Sequence, residues 1–297
     1  MQSGCSDTTL HADAELARLL EGLTAREMYR MARAAHALFP EREALAIDVA
    51  GGVAAFVGEG SPINQAFALG LAGEVTEEDV ALLERFYQWR GARGKVGICP
   101  FADASLARTL GERGWVPDGF ENVLALPLVA EDEFPEPEPE IEVRVCTAEE
   151  RDLWARVVAV SFAAPALPTR AELDLAHIVA ARDEAALYLA WIDGEAVGAG
   201  ELVVEERVGW LSADTTLPPY RGRGVQRAVQ IARLRAARDA GCHLAVTESQ
   251  PGRGSQRNME RLGFRVLYTR VDMIAPWRAH TIDADGGTTT ANEGVES

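Results

Sequence analysis

The stretch at residues 216–229 constrains the fold of this 297-residue chain more than any other. An apolar run at 208–213 precedes it, and a helical pattern that ends at Gly241 follows it. A strand, a tight turn rich in glycine and arginine, and the start of a helix therefore follow one another. Glycines let backbone amides approach a ligand closely, and a helix N-terminus presents free N–H groups and a partial positive charge. This arrangement predicts a phosphate-binding site.

Two common phosphate motifs do not fit this turn. The P-loop requires a Lys-Ser or Lys-Thr pair after its last glycine, and neither pair occurs here. The dinucleotide fingerprint G-x-G-x-x-G begins well at Gly222 and Gly224, but Arg227 stands where its third glycine is required. Both motifs are therefore excluded.

A third motif fits the turn. The run Arg221-Gly-Arg-Gly224-Val-Gln226 resembles R-x-x-G-x-G/A, the pyrophosphate loop of the GCN5-related N-acetyltransferases (GNAT). The match departs from the family at its last position, where Gln226 replaces glycine or alanine. The amide of Gln226 can still donate a hydrogen bond, and its side chain could add another donor.

A second motif follows in the order that the family requires. The run Asn258-Met-Glu-Arg-Leu-Gly-Phe264 resembles the family's helix that ends in a Leu-Gly-Phe turn. The resemblance covers residues 143–273 or so. It implies an α/β (α+β) fold in which a mixed, mostly antiparallel sheet is flanked by helices.

The first half of the chain echoes the same order of elements. The run Leu110-Gly-Glu-Arg-Gly-Trp115 parallels the Leu-Gly-Phe motif. Where the arginine loop should fall, the chain has Gly70-Leu-Ala-Gly73 and no arginine. We therefore interpret this half as a degenerate GNAT-like domain that lacks the pyrophosphate loop. An unrelated α/β cap domain remains the alternative.

A segment of alternating proline and glutamate at 131–140 predicts an extended linker between the halves. The last residues are rich in glycine, threonine and acid, which is typical of a disordered tail. The predicted domains are a degenerate GNAT-like domain at 1–130, the linker at 131–140, an acetyl-CoA-binding GNAT domain at 141–280 and the tail at 281–297.

The net charge and the composition limit which binding partners and which cellular setting we expect. A net charge of −17 argues against nucleic acid, since phosphate backbones require basic surfaces. No run of about 18 apolar residues occurs, and the N-terminus is polar, so we expect neither a membrane span nor a signal peptide. The 4 cysteines are scattered, which favours free thiols in a reducing, cytoplasmic setting over disulfides or a metal site.

The resemblance implies an N-acetyltransferase that moves an acetyl group from acetyl-CoA to a primary amine by direct attack. The acceptor would be a small-molecule or peptide amine, and both a monomer and a homodimer remain open. The resemblance also implies which residues hold the cofactor: Asp214, Thr215, Thr216, Arg221, Gly222, Arg223, Gly224, Val225, Gln226 and Asn258.

The attacking amine must first lose a proton, and a carboxylate can accept it directly or through water. Glu201 lies on a predicted strand, and Glu248 ends another; these two are the leading candidates. Asp214, on the strand before the loop, is a third. Each could instead be a strand or loop residue without a catalytic role.

The leaving thiolate is helped in many family members by a tyrosine just before the Leu-Gly-Phe turn. Met259 occupies that neighbourhood here, so this acid is missing. Tyr268 is the nearest other phenol and Ser255 a second choice, although packing is the favoured role for Tyr268. The missing tyrosine and the degenerate first half motivate an alternative from another class, a regulatory or sensor protein that binds acyl-CoA without turnover.

Overall fold

The computed structural model describes residues 10–278, together with 281–282 and 288–289. The predicted tail at 281–297 lies outside these residues, apart from a short ladder between Thr281–Ile282 and Thr288–Thr289. The helices are α1 (Ala14–Leu38), α2 (Glu77–Gln88), α3 (Ala104–Glu112), α4 (Arg151–Ala163), α5 (Arg170–Ala180), α6 (Val225–Asp239) and α7 (Gly254–Arg261). The main strands are β1 (Leu45–Val49), β2 (Gly52–Phe56), β3 (Gln65–Phe67), β4 (Lys95–Ile98), β5 (Val116–Pro127), β6 (Glu142–Val145), β7 (Ala185–Ile192), β8 (Glu195–Glu205), β9 (Val208–Thr216), β10 (Leu244–Ser249) and β11 (Arg265–Ile274).

The two halves repeat one order of elements. In the first half, β3 and β4 pair in parallel and α2 connects them. In the second half, β9 and β10 pair in parallel and α6 connects them. A further helix and a long strand follow in each half, α3 with β5 and α7 with β11. The fold is thus two GNAT-like units, each mixed and mostly antiparallel, as the sequence predicts.

The last strands of the two units are exchanged. The strand order in the eleven-stranded sheet is β1-β2-β3-β4-β11-β5-β10-β9-β8-β7-β6. The strand β5 of the first half therefore lies between β11 and β10 of the second, and β11 lies between β5 and β4. The two halves form one continuous sheet, and the strand 116–127 of the predicted first domain is surrounded by strands of the second.

The long helix α1 packs against both halves. Asp13 caps it by accepting a hydrogen bond from the backbone N–H of Leu16 at 2.8 Å, which satisfies one free donor of the first turn. Its buried Leu20 packs with Tyr268 of β11, whereas its buried Met28 packs with Val53 of β2. The helix thus covers the join between the units.

The acidic segment between the halves runs along α6. Arg235 pairs with Glu136 at 2.7 Å and donates to the backbone oxygen of Phe134 at 2.8 Å. Arg223 pairs with Glu140 at 3.2 Å. The segment has no helix or strand, and the division of the chain at 131–140 remains a prediction.

The structure bears on two expectations from the composition, the absence of a membrane span and the state of the cysteines. Within the part of the chain that the structure describes, none of the helices has the length and hydropathy needed to cross a bilayer. Cys99, Cys146 and Cys242 are free thiols, and Cys99 and Cys242 are buried. Cys5 lies outside the described residues.

Candidate active site

The sheet opens between β9 and β10. Their parallel pairing ends where Leu211 lies opposite Thr247. Beyond that point β10 stays beside β5, with Glu248 opposite Val123, while β9 continues from Ser212 without this neighbour. A gap therefore opens in the sheet, and the candidate site lies on its two sides.

A bulge in β9 turns the chain at this gap. Ser212 lies opposite Glu201 and Thr215 lies opposite Ala199, so residues 213–214 together face Gly200. Ala213 has a φ of 55°, a left-handed conformation that is uncommon for a residue with a side chain. Such bulges redirect neighbouring side chains and concentrate near active sites. Here Ser212 and Asp214 point to different cavities, described below.

The guanidinium of Arg233 holds the bulge in place. It is fully buried, donates to the backbone oxygens of Glu201 at 2.8 Å and Ser212 at 2.9 Å, and pairs with the carboxylate of Asp214. A Cβ on Gly200 would lie 2.7 Å from its Cζ, so glycine is required there for the close approach. Removing one partner of such a buried pair leaves an uncompensated charge, which costs about 3–5 kcal/mol.

A groove of about 670 Å³ lies on the α6 side of the gap. The ends of four segments form it: β9 after the bulge, the turn before α6, α7, and the end of α4. Every predicted cofactor residue except Arg223 lines it: Asp214, Thr215, Thr216, Arg221, Gly222, Gly224, Val225, Gln226 and Asn258.

The start of α6 forms the floor of the groove. Gly222 and Gly224 have φ angles of 80° and 86°, which glycine adopts without strain. Gly224 precedes the first turn of α6, and no side chain caps that turn. The free N–H groups and the helix dipole therefore face the groove, an arrangement suited to an anion.

The arginines of the loop have distinct positions. The guanidinium of Arg221 donates to the backbone oxygens of Ser161 at 3.0 Å and Thr216 at 3.3 Å, so it also fixes the loop against α4. Arg223 lies outside the groove, over the ring of Tyr220 and beside Glu140. Arg227 and Arg261 line the groove as well, and they give it a cationic wall despite the net negative charge of the chain.

Several buried hydroxyls in the groove have no partner. The side-chain oxygens of Ser161, Thr215 and Thr216 are buried and form no hydrogen bond with the described residues. Buried polar atoms are normally paired, and unpaired ones indicate a missing ligand or water. Beside them, Asn258 donates to the side-chain oxygen of Gln226 at 2.7 Å, so the residue that departs from the family motif is held in the groove. These residues fit a ligand with a diphosphate and amide groups, such as coenzyme A.

A second cavity, of about 340 Å³, lies on the opposite side of the gap, between the two halves. The helix α1 and strands of both halves line it, and both leading candidates for the base face it, Glu201 from β8 and Glu248 from β10. Glu201 is buried, pairs with Arg182 and accepts a hydrogen bond from Ser212 Oγ at 2.7 Å. Glu248 pairs with Arg270. Each predicted base therefore already holds an arginine.

Asp214 lies on the groove side rather than in this second cavity. Burial raises the pKa of its carboxyl, and the pairing with Arg233 opposes that rise. Its position within the Arg233 contacts indicates that it stabilises the bulge.

The structure places Tyr268 away from the groove. Its hydroxyl is buried and donates to Glu21 at 2.8 Å, and burial is the main cause that raises its pKa. It is therefore not positioned to protonate a sulfur atom in the groove, which corrects the prediction of an acid role. Ser255 does line the groove, where its hydroxyl lies 2.5 Å from that of Ser249. Met259 is buried in the core.

The sequence reasoning missed Glu121, which β5 of the first half brings into the second cavity. Its carboxylate has no hydrogen-bond or ion-pair partner among the described residues. Burial, followed by the charges of Glu248 and Asp272, raises its pKa to about 7. No local signal identifies it, since it faces the second half only because the strands are exchanged. Gln230, which also lines the groove, could have been found from its helical spacing to Gln226.

The groove lies in a part of the chain that matches a family model. Residues 151–264 match the family model described as "Acetyltransferase (GNAT) family". This match includes the groove loop and α7, and it ends before β11. Among curated proteins, none matches the chain.

Solved structures resemble most of the chain in fold. A GCN5-related N-acetyltransferase from Kribbella flavida is 20% identical, with a TM-score of 0.57 over 83% of this chain and 96% of that one. A tandem GNAT protein from the clavulanic acid biosynthesis pathway is 14% identical, with a TM-score of 0.56 over 90% of this chain and 96% of that one. At these identities the likeness concerns the fold, which includes the paired arrangement of two units.

Proposed function

We propose that this protein is an N-acetyltransferase that moves an acetyl group from acetyl-CoA to a primary amine, because residues 151–264 match the model of the acetyltransferase (GNAT) family. The observation that carries the proposal is the pair of cavities on the two sides of the gap between β9 and β10. One cavity has the donors for a nucleotide diphosphate, and the other has carboxylates for an amine. The gap lets the two reactants meet.

The groove residues would bind the cofactor in three parts. The free N–H groups at the start of α6, with Arg221 and Arg227, would hold the diphosphate. Asn258 and the buried hydroxyls of Thr215 and Thr216 would contact the pantetheine arm. Acetyl-CoA supplies an acetyl thioester, which reacts with an amine directly.

The chain next to the gap would position the reaction. Backbone N–H groups at residues 214–216 lie where the strand pairing with β10 has ended, and they could donate to a developing negative charge. A thiolate is a tolerable leaving group, so the absence of a tyrosine before the Leu-Gly-Phe turn does not prevent the reaction. Glu201 and Glu248 would border the amine, and Arg182 and Arg270 already pair with their carboxylates.

A turnover assay tests the proposal. The full chain is incubated with acetyl-CoA and a panel of primary amines, amino acids and peptides, and free thiol and acetylated product are measured together. We expect thiol release that depends on the amine and matches the amount of acetylated product. Binding of acetyl-CoA without release for every amine would instead support the non-catalytic acyl-CoA-binding alternative.

A further inference from the structure

The cavity between the halves has mostly apolar walls. These walls come from α1, β3 and the loop before β3 in the first half and from β8 and β9 in the second: Leu23, Met28, Met31, Ile63, Phe67, Val203, Val208 and Trp210. Its volume of about 340 Å³ falls at the lower end of the range for small-molecule sites. The volume and the walls therefore suit a compact apolar group.

Most of the charges in this cavity are already paired. The arginines neutralise four of its carboxylates: Arg182 pairs with Glu27 and Glu201, Arg26 and Arg30 pair with Glu205, and Arg270 pairs with Glu248. Such pairing leaves these carboxylates with little free capacity for a further cation.

Two carboxylates remain without an arginine. Asp272 accepts a hydrogen bond from Gln65 at 3.0 Å, and Glu121 has no hydrogen-bond or ion-pair partner among the residues described. In the cavity as it stands, an uncompensated negative charge therefore faces apolar walls. Burying such a charge is costly, and a cationic ligand offsets the cost.

We propose that this cavity binds the acceptor as an ammonium group on a compact apolar body, and that Glu121 of the first half takes up the proton of that ammonium. The inference rests on the acetyl transfer proposed above and adds the substrate class and the base. The first half would then be part of the acceptor site, although it lacks the arginine loop.

The proton and electron balance is simple. The ammonium gives one proton to the Glu121 carboxylate, and the freed nitrogen lone pair forms the new C–N bond as the C–S bond breaks. The nitrogen then loses a second proton, which the sulfur takes up, so that coenzyme A leaves as the thiol. Glu121 returns its proton to solvent, and one proton is released for each turnover.

The groups around Glu121 bring the pKa of its carboxyl into the range that a base requires. Burial and the charges of Glu248 and Asp272 raise its pKa to about 7, and Arg270 opposes the rise. A base works best when its pKa lies near the working pH. The charged groups that line the cavity around it are Glu27 and Arg30 on α1, Glu201 and Glu205 on β8, Glu248 on β10, and Arg270 and Asp272 on β11.

The substrate class is tested with three probes on the full chain: 2-phenylethylamine, phenylalanine, and a peptide with one unblocked lysine. The first has the ammonium and the apolar body, the second adds a carboxylate, and the third is a peptide amine. We expect kcat/KM for 2-phenylethylamine to exceed that for the other two by about tenfold or more, since a like charge beside Glu121 and Asp272 is repelled. Equal or better use of the peptide would overturn the proposed substrate class.

The base is tested with Glu121→Gln, and Asp118→Asn on the same strand is the matched control. Asp118 is exposed and pairs with Lys95 at 2.9 Å, outside the cavity. We expect Glu121→Gln to lower kcat/KM by about 10²-fold and to remove the acidic limb near pH 7, whereas Asp118→Asn keeps both. An unchanged pH profile in Glu121→Gln would exclude Glu121 as the base.

Two further measurements separate this inference from the proposed function. Calorimetry should show that 2-phenylethylamine binds the full chain and binds Glu121→Gln more weakly; no binding to the wild type would overturn the inference even if acetyl-CoA binds.

The raised pKa of Glu121 also means that its contribution to stability is lost as pH rises from 4.5 to about 7. Glu121→Gln should flatten the fall of Tm in this range, and an unchanged fall would show that the pKa of Glu121 is not raised, which would overturn its assignment as the base. Acetylation of other amines with an unaffected Glu121→Gln would contradict the inference alone.

Discussion

The equivalent helices of the two halves, α6 and α2, have opposite N-terminal chemistry. In the second half, α6 starts at Gly224 with no side-chain cap, and arginines surround its free N–H groups. In the first half, α2 starts at Thr76, whose hydroxyl accepts from the N–H of Asp79 while Asp79 accepts from the N–H of Thr76. Three acidic residues occupy the first turn of α2, 77–79. The same element is therefore open to an anion in one half and closed to it in the other.

The loops before these helices also differ: the loop of the first half is closed by hydrogen bonds, and the loop of the second half borders an open groove. In the first half, the oxygen of Gly70 accepts from the N–H of Asp103 at 2.8 Å, and the hydroxyl of Ser105 accepts from the N–H of Val75 at 2.7 Å. These bonds join the loop directly to the start of α3. In the second half, the corresponding space between the loop and α7 is the groove. The same fold therefore leaves a groove at this place in one half and joins the loop to the next helix in the other.

The first half contributes in another way. Its strand β5 lies between β10 and β11, and its helix α1 lines the cavity between the halves. A unit without an arginine loop thus contributes walls to a cavity that it shares with its neighbour.

The largest effect is expected from Gly224→Val. A side chain at a φ of 86° is strained, so the turn would move and displace the amides that face the diphosphate. Loss of two hydrogen bonds to a charged group, at about 1.5–3 kcal/mol each, corresponds to a loss of about 100-fold or more in acetyl-CoA affinity. Calorimetric titration with acetyl-CoA measures this loss of affinity.

The matched control is Gly70→Val in the first half. Gly70 has a φ of 74°, and a Cβ there would lie 3.2 Å from the side chain of Val75. This variant should lose stability in thermal unfolding but keep its affinity for acetyl-CoA. Loss of affinity in Gly70→Val would break the contrast between the two loops.

A smaller effect is expected from Thr76→Ala. This change removes the cap of α2, which should lower the free energy of unfolding by about 1 kcal/mol. The affinity for acetyl-CoA should not change, because the cofactor is assigned to α6. Denaturant unfolding measures the change in stability, and a binding titration measures the affinity for acetyl-CoA. A changed affinity would contradict the assignment of the cofactor to α6.

The smallest effect is expected from Glu140→Gln. Glu140 pairs with Arg223 at 3.2 Å on an exposed surface, and such pairs contribute about 0–1 kcal/mol. Releasing Arg223 should increase the affinity for acetyl-CoA at low salt by about fivefold at most. Salt should abolish the gain, since it screens exposed charges. Weaker binding by the variant would show that Glu140 supports the loop rather than competing with the anion.

Local chemistry explains what could be predicted from the sequence. The glycines and arginines of residues 221–226 and the helix after them depend on short-range geometry, and the structure brings nearly all of them to one groove. The absence of an arginine loop at 68–78 could be recognised for the same reason.

Long-range pairing explains what could not be predicted. The position of Glu121 depends on β5 pairing with β10 and β11, and strand partners so distant in sequence are chosen by packing across the whole sheet. Likewise, Tyr268 packs beneath α1 and bonds to Glu21, a contact between opposite ends of the chain. Proximity in sequence to the Leu-Gly-Phe turn gave no information about that burial.

The central claim is that one half of this chain binds acetyl-CoA and the other does not. Calorimetric titration of the full chain with acetyl-CoA tests it most directly, with Gly224→Val titrated in parallel. The account predicts about one site per chain in the wild type and an affinity about 100-fold or more weaker in the variant. Two equivalent sites, or an unchanged affinity in Gly224→Val, would contradict it.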